Sequence, residues 1–266
     1  MSKANDMLEI LNNGDIQYVL DVDNHLYQLS TEHSQNNLID VDTEEFKEFS
    51  LRKFYEVGSD TIPESAYRQA VSTLKGIKKG VITERVTLHN RVARHENAIW
   101  HYLGKGKAVR ICPGSVDIMD QVPTLFRSFS HQSSLQLPIL EDVKSNRENL
   151  DLIFNYANIK DPDQRLLFQT SLVFALLPDV PHPIDLIVGP PGSSKTTATL
   201  IKKSLIDPVS GLRGFSIPKS ESDFHLMASQ HHVVTFDNMP FIKNLQSDMF
   251  CKAVTGEEMV PLRWTG

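Results

Sequence analysis

Gly189-Pro-Pro-Gly-Ser-Ser-Lys195-Thr196 carries the parts of a phosphate cradle in one short segment. A glycine-rich turn that opens a helix aims several backbone N–H groups, and the positive helix end, at one point. That arrangement suits a compact polyanion such as a nucleotide's phosphate chain. Gly189, Lys195 and Thr196 keep the spacing of the pattern G-x-x-x-x-G-K-[ST], with Ser194 standing where the second Gly is usual. Gly192, two places earlier, is able to supply a positive φ, whereas Ser194 adds a Cβ where the backbone wraps the phosphate. The expected ATP-binding set is therefore Gly189, Pro190, Pro191, Gly192, Ser193, Ser194, Lys195, Thr196 and Thr197. Lys195 is expected to reach the β- and γ-phosphates, and Thr196 to ligate Mg²⁺.

A second segment supports the first. His232-Val-Val-Thr-Phe-Asp237-Asn238 reads as an apolar strand that ends in a carboxylate, which is expected to hold the same Mg²⁺ directly or through water. The alternative for Asp237 alone is a strand-end turn residue, since Asp-Asn is a common turn pair. Asn238 takes the place where many P-loop ATPases carry a Glu. Its amide orients water by hydrogen bonding but does not accept a proton as a carboxylate does. Lys195, Asp237 and Asn238 form the candidate catalytic set, with the base unassigned.

The elements around these residues read as α/β. Leu186, Ile187 and Val188 are expected as a buried parallel-strand run ahead of the loop, with a helix from Thr196 to Ser204 after it. A helix from Ser220 precedes the Asp237 strand. Upstream, Glu148–Ile159 and Asp161–Leu177 read as two helices, with Asp161 as N-cap and Pro162 at the first helical position. Residues 128–147 read as a linker, so three segments are expected: an α+β accessory domain at 1–127, the linker, and a P-loop domain at 148–266. Within the first, Gln17–Gln28 reads as a hairpin around Asp23-Asn24, and helices are expected at Asp42–Tyr55 and Pro63–Ile77. Strands are expected at 81–88, 98–103 and 107–112. Trp100, His101 and Tyr102 on one of them are either core residues or platforms for stacked bases.

The loop Gly189–Thr197, the strand ending at Asp237-Asn238, and Asp248-Met-Phe-Cys-Lys-Ala-Val-Thr-Gly256 together resemble the ATPase core of superfamily 3-type helicases, of the primase-helicase-like kind found in phages, plasmids and other mobile elements. The resemblance runs from about residue 184 to the last residue. It implies an AAA+-like P-loop NTPase sheet, a homo-oligomeric ring and single-stranded or origin DNA as partner. It also implies that Thr255–Arg263 lies on a DNA-facing loop, with Arg263 either a phosphate contact or an exposed solvated charge. A further strand with a polar sensor and an arginine finger would follow in that family. The core is therefore expected to be incomplete at its C-terminal end, binding nucleotide poorly and turning it over slowly if at all.

Composition sets the remaining bounds. At 40% hydrophobic and 23% charged residues the chain is an ordinary globular sequence. Cys112 and Cys251 read as free thiols, and no long apolar stretch marks a membrane span, so a cytoplasmic protein is expected. The net charge of −6 hides an asymmetry. Residues 1–67 carry 4 Lys/Arg against 14 Asp/Glu, while residues 68–110 carry 10 against 2. Lys75, Lys78 and Lys79 in the basic stretch are candidate nucleic-acid contacts, or alternatively neutralise the acidic segment within one domain. Three functions fit these features: a DNA-unwinding ATPase, an NTP-switched DNA-binding initiator or regulator without unwinding, and a small-molecule kinase. The scarcity of arginines after Lys195 disfavours the kinase.

Overall fold

A computed structural model describes residues 2–30, 37–58, 60–140, 146–211, 214–237, 239, 242 and 244–255 of the chain. By internal contact the chain divides into two compact units. One is Met1–His89 with Asp120–Ser128, and the other is Asn90–Met119 with Phe129–Gly266. Residues 90–119, expected with the accessory segment, lie in the second unit.

The first unit begins with α1 (Lys3–Leu11), whose N-cap Ser2 hydroxyl accepts from the Asn5 N–H at 3.3 Å. The expected hairpin follows as β1 (Gln17–Asp21) and β2 (Leu26–Ser30), antiparallel, with Asn24 at φ 62° in the turn. The Asp21 carboxylate closes that turn. It accepts the N–H groups of Asp23 and His25 at 3.0 and 2.8 Å and meets the Arg127 guanidinium at 3.2 Å. With β3 (Asn37–Asp40) and β4 (Arg85–Val86) the sheet has the order β3-β2-β1-β4. Helices α2 (Glu44–Gly58) and α3 (Glu64–Val81) pack with it, and Leu88–His89 (β5) and Leu125–Phe126 (β10) form a separate parallel pair.

α3 shows why this unit has one core. Tyr67, Ala70, Val71 and Leu74 recur at helical spacing and meet Met7, Leu11, Leu20, Phe46 and Phe49 in one buried cluster. On α3, Lys75 pairs with Asp42, and the Lys78 ammonium stands 4.9 Å over the Tyr18 ring, while Lys79 is exposed. Two of the three lysines considered for nucleic acid thus have partners inside the unit.

In the second unit β6 (Val92–His95), β7 (Ala98–Gly104), β8 (Lys107–Cys112) and β9 (Ser115–Met119) form an antiparallel meander. The β7–β8 turn has positive φ at Gly104, Lys105 and Gly106. Trp100, His101 and Tyr102 are buried on β7, so of their two readings they are core and not a surface for bases. The meander is followed by α4 (Asn146–Asp151), a 3-10 turn (Leu152–Asn155), α5 (Pro162–Phe174) and α6 (Lys195–Ile206). After these come α7 (Glu221–Gln230) and α8 (Asn244–Thr255). Asp161 caps α5 by accepting from the Gln164 N–H at 3.0 Å, and Ser220 caps α7 by accepting from the Asp223 N–H at 3.2 Å. Phe168 and Leu172 of α5 pack against Ala198 and Ile206 of α6.

The two strands expected ahead of the glycine-rich loop and ahead of Asp237 do not form regular ladders. Residues 181–189 form no ladder, and Ile184, Leu186 and Val188 are exposed by 54%, 71% and 81%. The intervening residues make the contacts, although Asp185 is itself exposed. Asp185 pairs with Lys202 at 2.6 Å, and Ile187 packs into the α5–α6 cluster. The segment therefore has strand periodicity with only one covered face, not the two buried faces its apolar run implies. Among the described residues the run ending at Asp237 pairs through a single parallel bridge, Phe215 with Phe236. Leu74→Ala in the first unit should lower its unfolding free energy by about 3 kcal/mol, measured by urea denaturation, because a fully buried leucine leaves a cavity on α3.

Candidate nucleotide site

The glycine-rich loop makes its turn with two left-handed residues. Gly192 has φ +77°, and Ser194, at the N-cap of α6, has φ 63° and ψ 30°. The serine thus occupies the backbone region that the customary glycine takes freely, at a cost of about 1 kcal/mol for its Cβ. Gly189 is constrained by contact: a Cβ there would meet the Ser193 hydroxyl at 2.7 Å. Beyond the turn, α6 starts at Lys195, so its first N–H groups have no carbonyl within the helix to donate to and point toward the loop. Pro190, Pro191 and Thr197 are exposed around it.

Lys195 folds back over the loop, its ammonium donating to the carbonyls of Gly189 at 2.8 Å and Pro190 at 2.7 Å. Thr196 donates its hydroxyl to the Asp237 carboxylate at 3.1 Å. Residues read from two separate segments thus meet in space. A hydroxyl and a carboxylate oxygen side by side, at the N-terminus of a helix, are hard donors suited to a hard divalent cation such as Mg²⁺. Asn238 and Arg263 lie outside the described residues, as does most of the Thr255–Arg263 segment.

Gly214 is a residue the sequence reading missed. The Phe215 N–H donates to the Thr235 carbonyl at 2.8 Å, and the Asp237 N–H to the Phe215 carbonyl at 3.1 Å. This brings Gly214 against Asp237, where a Cβ would meet the Asp237 Cβ at 2.6 Å and its backbone N at 3.2 Å. A lone glycine gives no sequence signal for a close approach to a residue so distant along the chain.

Behind the site lies a buried ionic cluster that was also missed. Arg91, Lys203 and Asp207 are exposed by 1%, 0% and 0%. The Asp207 carboxylate meets Arg91 Nε and Lys203 Nζ, each at 2.9 Å. It also accepts the N–H groups of His232 and Val233 at 2.9 and 3.2 Å. Arg91 donates further to the carbonyls of Ser133 at 2.7 Å and Pro208 at 3.1 Å, and Lys203 to that of Val233 at 2.6 Å. Burial alone would push the Asp207 carboxyl up, but the Lys203 ammonium and the hydrogen bonds from Lys203, Arg91 and Val233 hold it down at about 2. Burial pushes the Lys203 ammonium down, and Asp207 opposes that shift.

Histidines surround the cluster. His231 presents Nδ1 to the Lys203 ammonium at 3.5 Å, and its ring is 4.3 Å from that of His131. His232 Nε2 lies 2.6 Å from the Ala175 carbonyl, which only accepts, so that nitrogen carries the proton. Burial first, then the Lys203 charge for His231, pushes His231 down to about 4. Burial also brings His232 to about 4.

The comparisons with known proteins bear on this same region. Residues 150–263 match the profile of a family described as actinomycete integrative conjugative element replication protein. Over that stretch the chain is similar to a replication family of mobile elements. The matched residues include the loop, Thr196, Asp237 and the Lys203–Asp207 pair, but not Arg91. None of the curated proteins matches the chain. Among the described residues no helix is long and apolar enough to cross a membrane.

Two outcomes follow from this geometry. Ser194→Gly should relieve the left-handed strain, raising stability by up to about 1 kcal/mol in thermal unfolding without weakening nucleotide binding. His231 and His232 have folded pKa values below their ordinary 6.5, so the unfolded chain binds protons more readily than the folded one. Their contribution is complete above pH 6.5 and is lost as pH falls toward about 4. Urea midpoints should therefore drop between pH 7 and pH 5, and less so in His232→Asn.

Proposed function

We propose that the segment carrying this site is the nucleotide-binding core of a mobile-element replication ATPase, a P-loop domain of the AAA+-like kind that couples ATP to DNA binding or unwinding. The observation that carries the reading is the Thr196–Asp237 contact of 3.1 Å, formed between the residue after the loop lysine and a carboxylate 41 positions away. The similarity of residues 150–263 to a replication family supports the biological setting.

In this reading the loop N–H groups and the α6 N-terminus receive the phosphate chain. The Lys195 ammonium exchanges the Gly189 and Pro190 carbonyls for phosphate oxygens, trading two neutral acceptors for charged ones. Thr196 and Asp237 would hold Mg²⁺, which when bound neutralises charge on the phosphates. Single-stranded or origin DNA and a homo-oligomeric ring belong to the same proposal. Asn238 beside the carboxylate favours a second reading, in which ATP switches a DNA-binding initiator without turnover. Tight ATP binding with negligible phosphate release would distinguish that reading from a motor.

Lys195→Ala tests the core of the proposal. ATP binding, followed by displacement of a fluorescent ATP analogue, should be abolished while thermal unfolding stays close to wild type. Unchanged affinity in that variant would sink the nucleotide reading.

A further inference from the structure

The chain joins α6 to the 232–237 segment at two places. At one end Thr196 meets Asp237 at 3.1 Å. At the other, Lys203 donates to the Val233 carbonyl at 2.6 Å, while Asp207 accepts the His232 and Val233 N–H groups at 2.9 and 3.2 Å. The helix and the extended run are oppositely directed, since position 196 faces 237 and position 203 faces 233. From Thr196 to Lys203 the helix rises about 10.5 Å, and from Val233 to Asp237 an extended chain covers about 13 Å. The two spans agree within the reach of a side chain, so both ties form together.

Other contacts tie the segment to elements other than α6: Phe215 hydrogen-bonds with Thr235 and Asp237, Gly214 packs against Asp237, Phe236 lies against Phe224 and Phe250, and His232 donates to the Ala175 carbonyl. Among the described residues the segment has one strand bridge, Phe215 with Phe236. A slip of one residue would carry Asp237 about 3.3 Å along and turn its side chain to the opposite face, out of reach of Thr196. The far tie is itself anchored, because Arg91 binds Asp207 and the carbonyls of Ser133 and Pro208.

We propose that Lys203 and Asp207 are positioning residues, which act through the 232–237 segment to set the register in which Asp237 meets Thr196. The inference rests on the reading of Thr196 and Asp237 as the Mg²⁺ pair of an ATP site. Lys203→Met is the variant of choice, because the cluster holds two cations and one anion and its removal leaves a balanced Arg91–Asp207 pair. Lys203→Gln is the second variant, keeping a polar but shorter side chain with no ammonium to join Val233 to Asp207.

The experiment measures the affinity of the whole chain for ATP with Mg²⁺ and with EDTA, alongside thermal unfolding to identify folded variants. Wild type should bind more tightly with Mg²⁺, and Asp237→Ala should lose that gain. A folded Lys203 variant should lose on the order of 10-fold in the Mg²⁺-dependent part, with affinity in EDTA unchanged. Combined with Asp237→Ala it should add no further loss. A role in stability alone would weaken both affinities equally, and that result, or a full Mg²⁺ gain in the folded variant, overturns the inference. If Asp237→Ala keeps the Mg²⁺ gain, the metal reading fails and the inference with it, an outcome distinct from failure at Lys203 alone.

Discussion

The second unit depends on a carboxylate with no exposure to water. Burying a charge is costly unless it is paired and hydrogen-bonded, and removing one partner leaves the others uncompensated. Asp207 meets this demand with Arg91, Lys203 and two backbone N–H groups. Each partner comes from a different part of the unit: the stretch before β6, the α6 helix, and the start of the Asp237 segment. Arg91 in turn reaches Ser133 and Pro208, and His101 of β7 sits 2.9 Å from the Ile206 carbonyl beside it. A single anion thus ties together the meander, the α6 helix and the segment that ends at Asp237.

What the sequence made legible was local. The cap at Asp161, the helix from Ser220 and the Asp23-Asn24 turn are each written in a few neighbouring residues, and each forms where expected. The ionic cluster was opaque because its members are far apart. Lys203 and Asp207 alone read as an exposed i, i+4 pair at a helix end, and Arg91 as one more charge of a basic stretch. Gly214 is silent for a similar reason, since its role is set by a carboxylate on another segment. The meeting of Thr196 with Asp237 was anticipated through the chemistry that joins them, not through any local pattern.

The run before the loop shows the limit of reading burial from hydrophobicity. Leu186-Ile187-Val188 has the composition of a strand covered on both faces, but coverage depends on what lies alongside. Here α6 covers one face, taking Ile187 into its cluster and Asp185 onto Lys202, while Ile184, Leu186 and Val188 stay in water. The alternation survives without the ladder, because side-chain direction in an extended chain is set by the backbone itself.

The family similarity starts at residue 150, after the meander has ended. Asp207 lies inside the matched stretch, yet Arg91 lies outside it. A piece cut at residue 150 would keep Lys203 with Asp207 but expose the carboxylate's other side, together with the Ser133 and Pro208 carbonyls' donor lost. Water would then replace a guanidinium as its partner, weakening the tie that fixes His232 and Val233. The stretch that resembles a replication family is therefore shorter than the stretch that holds its own candidate site in place.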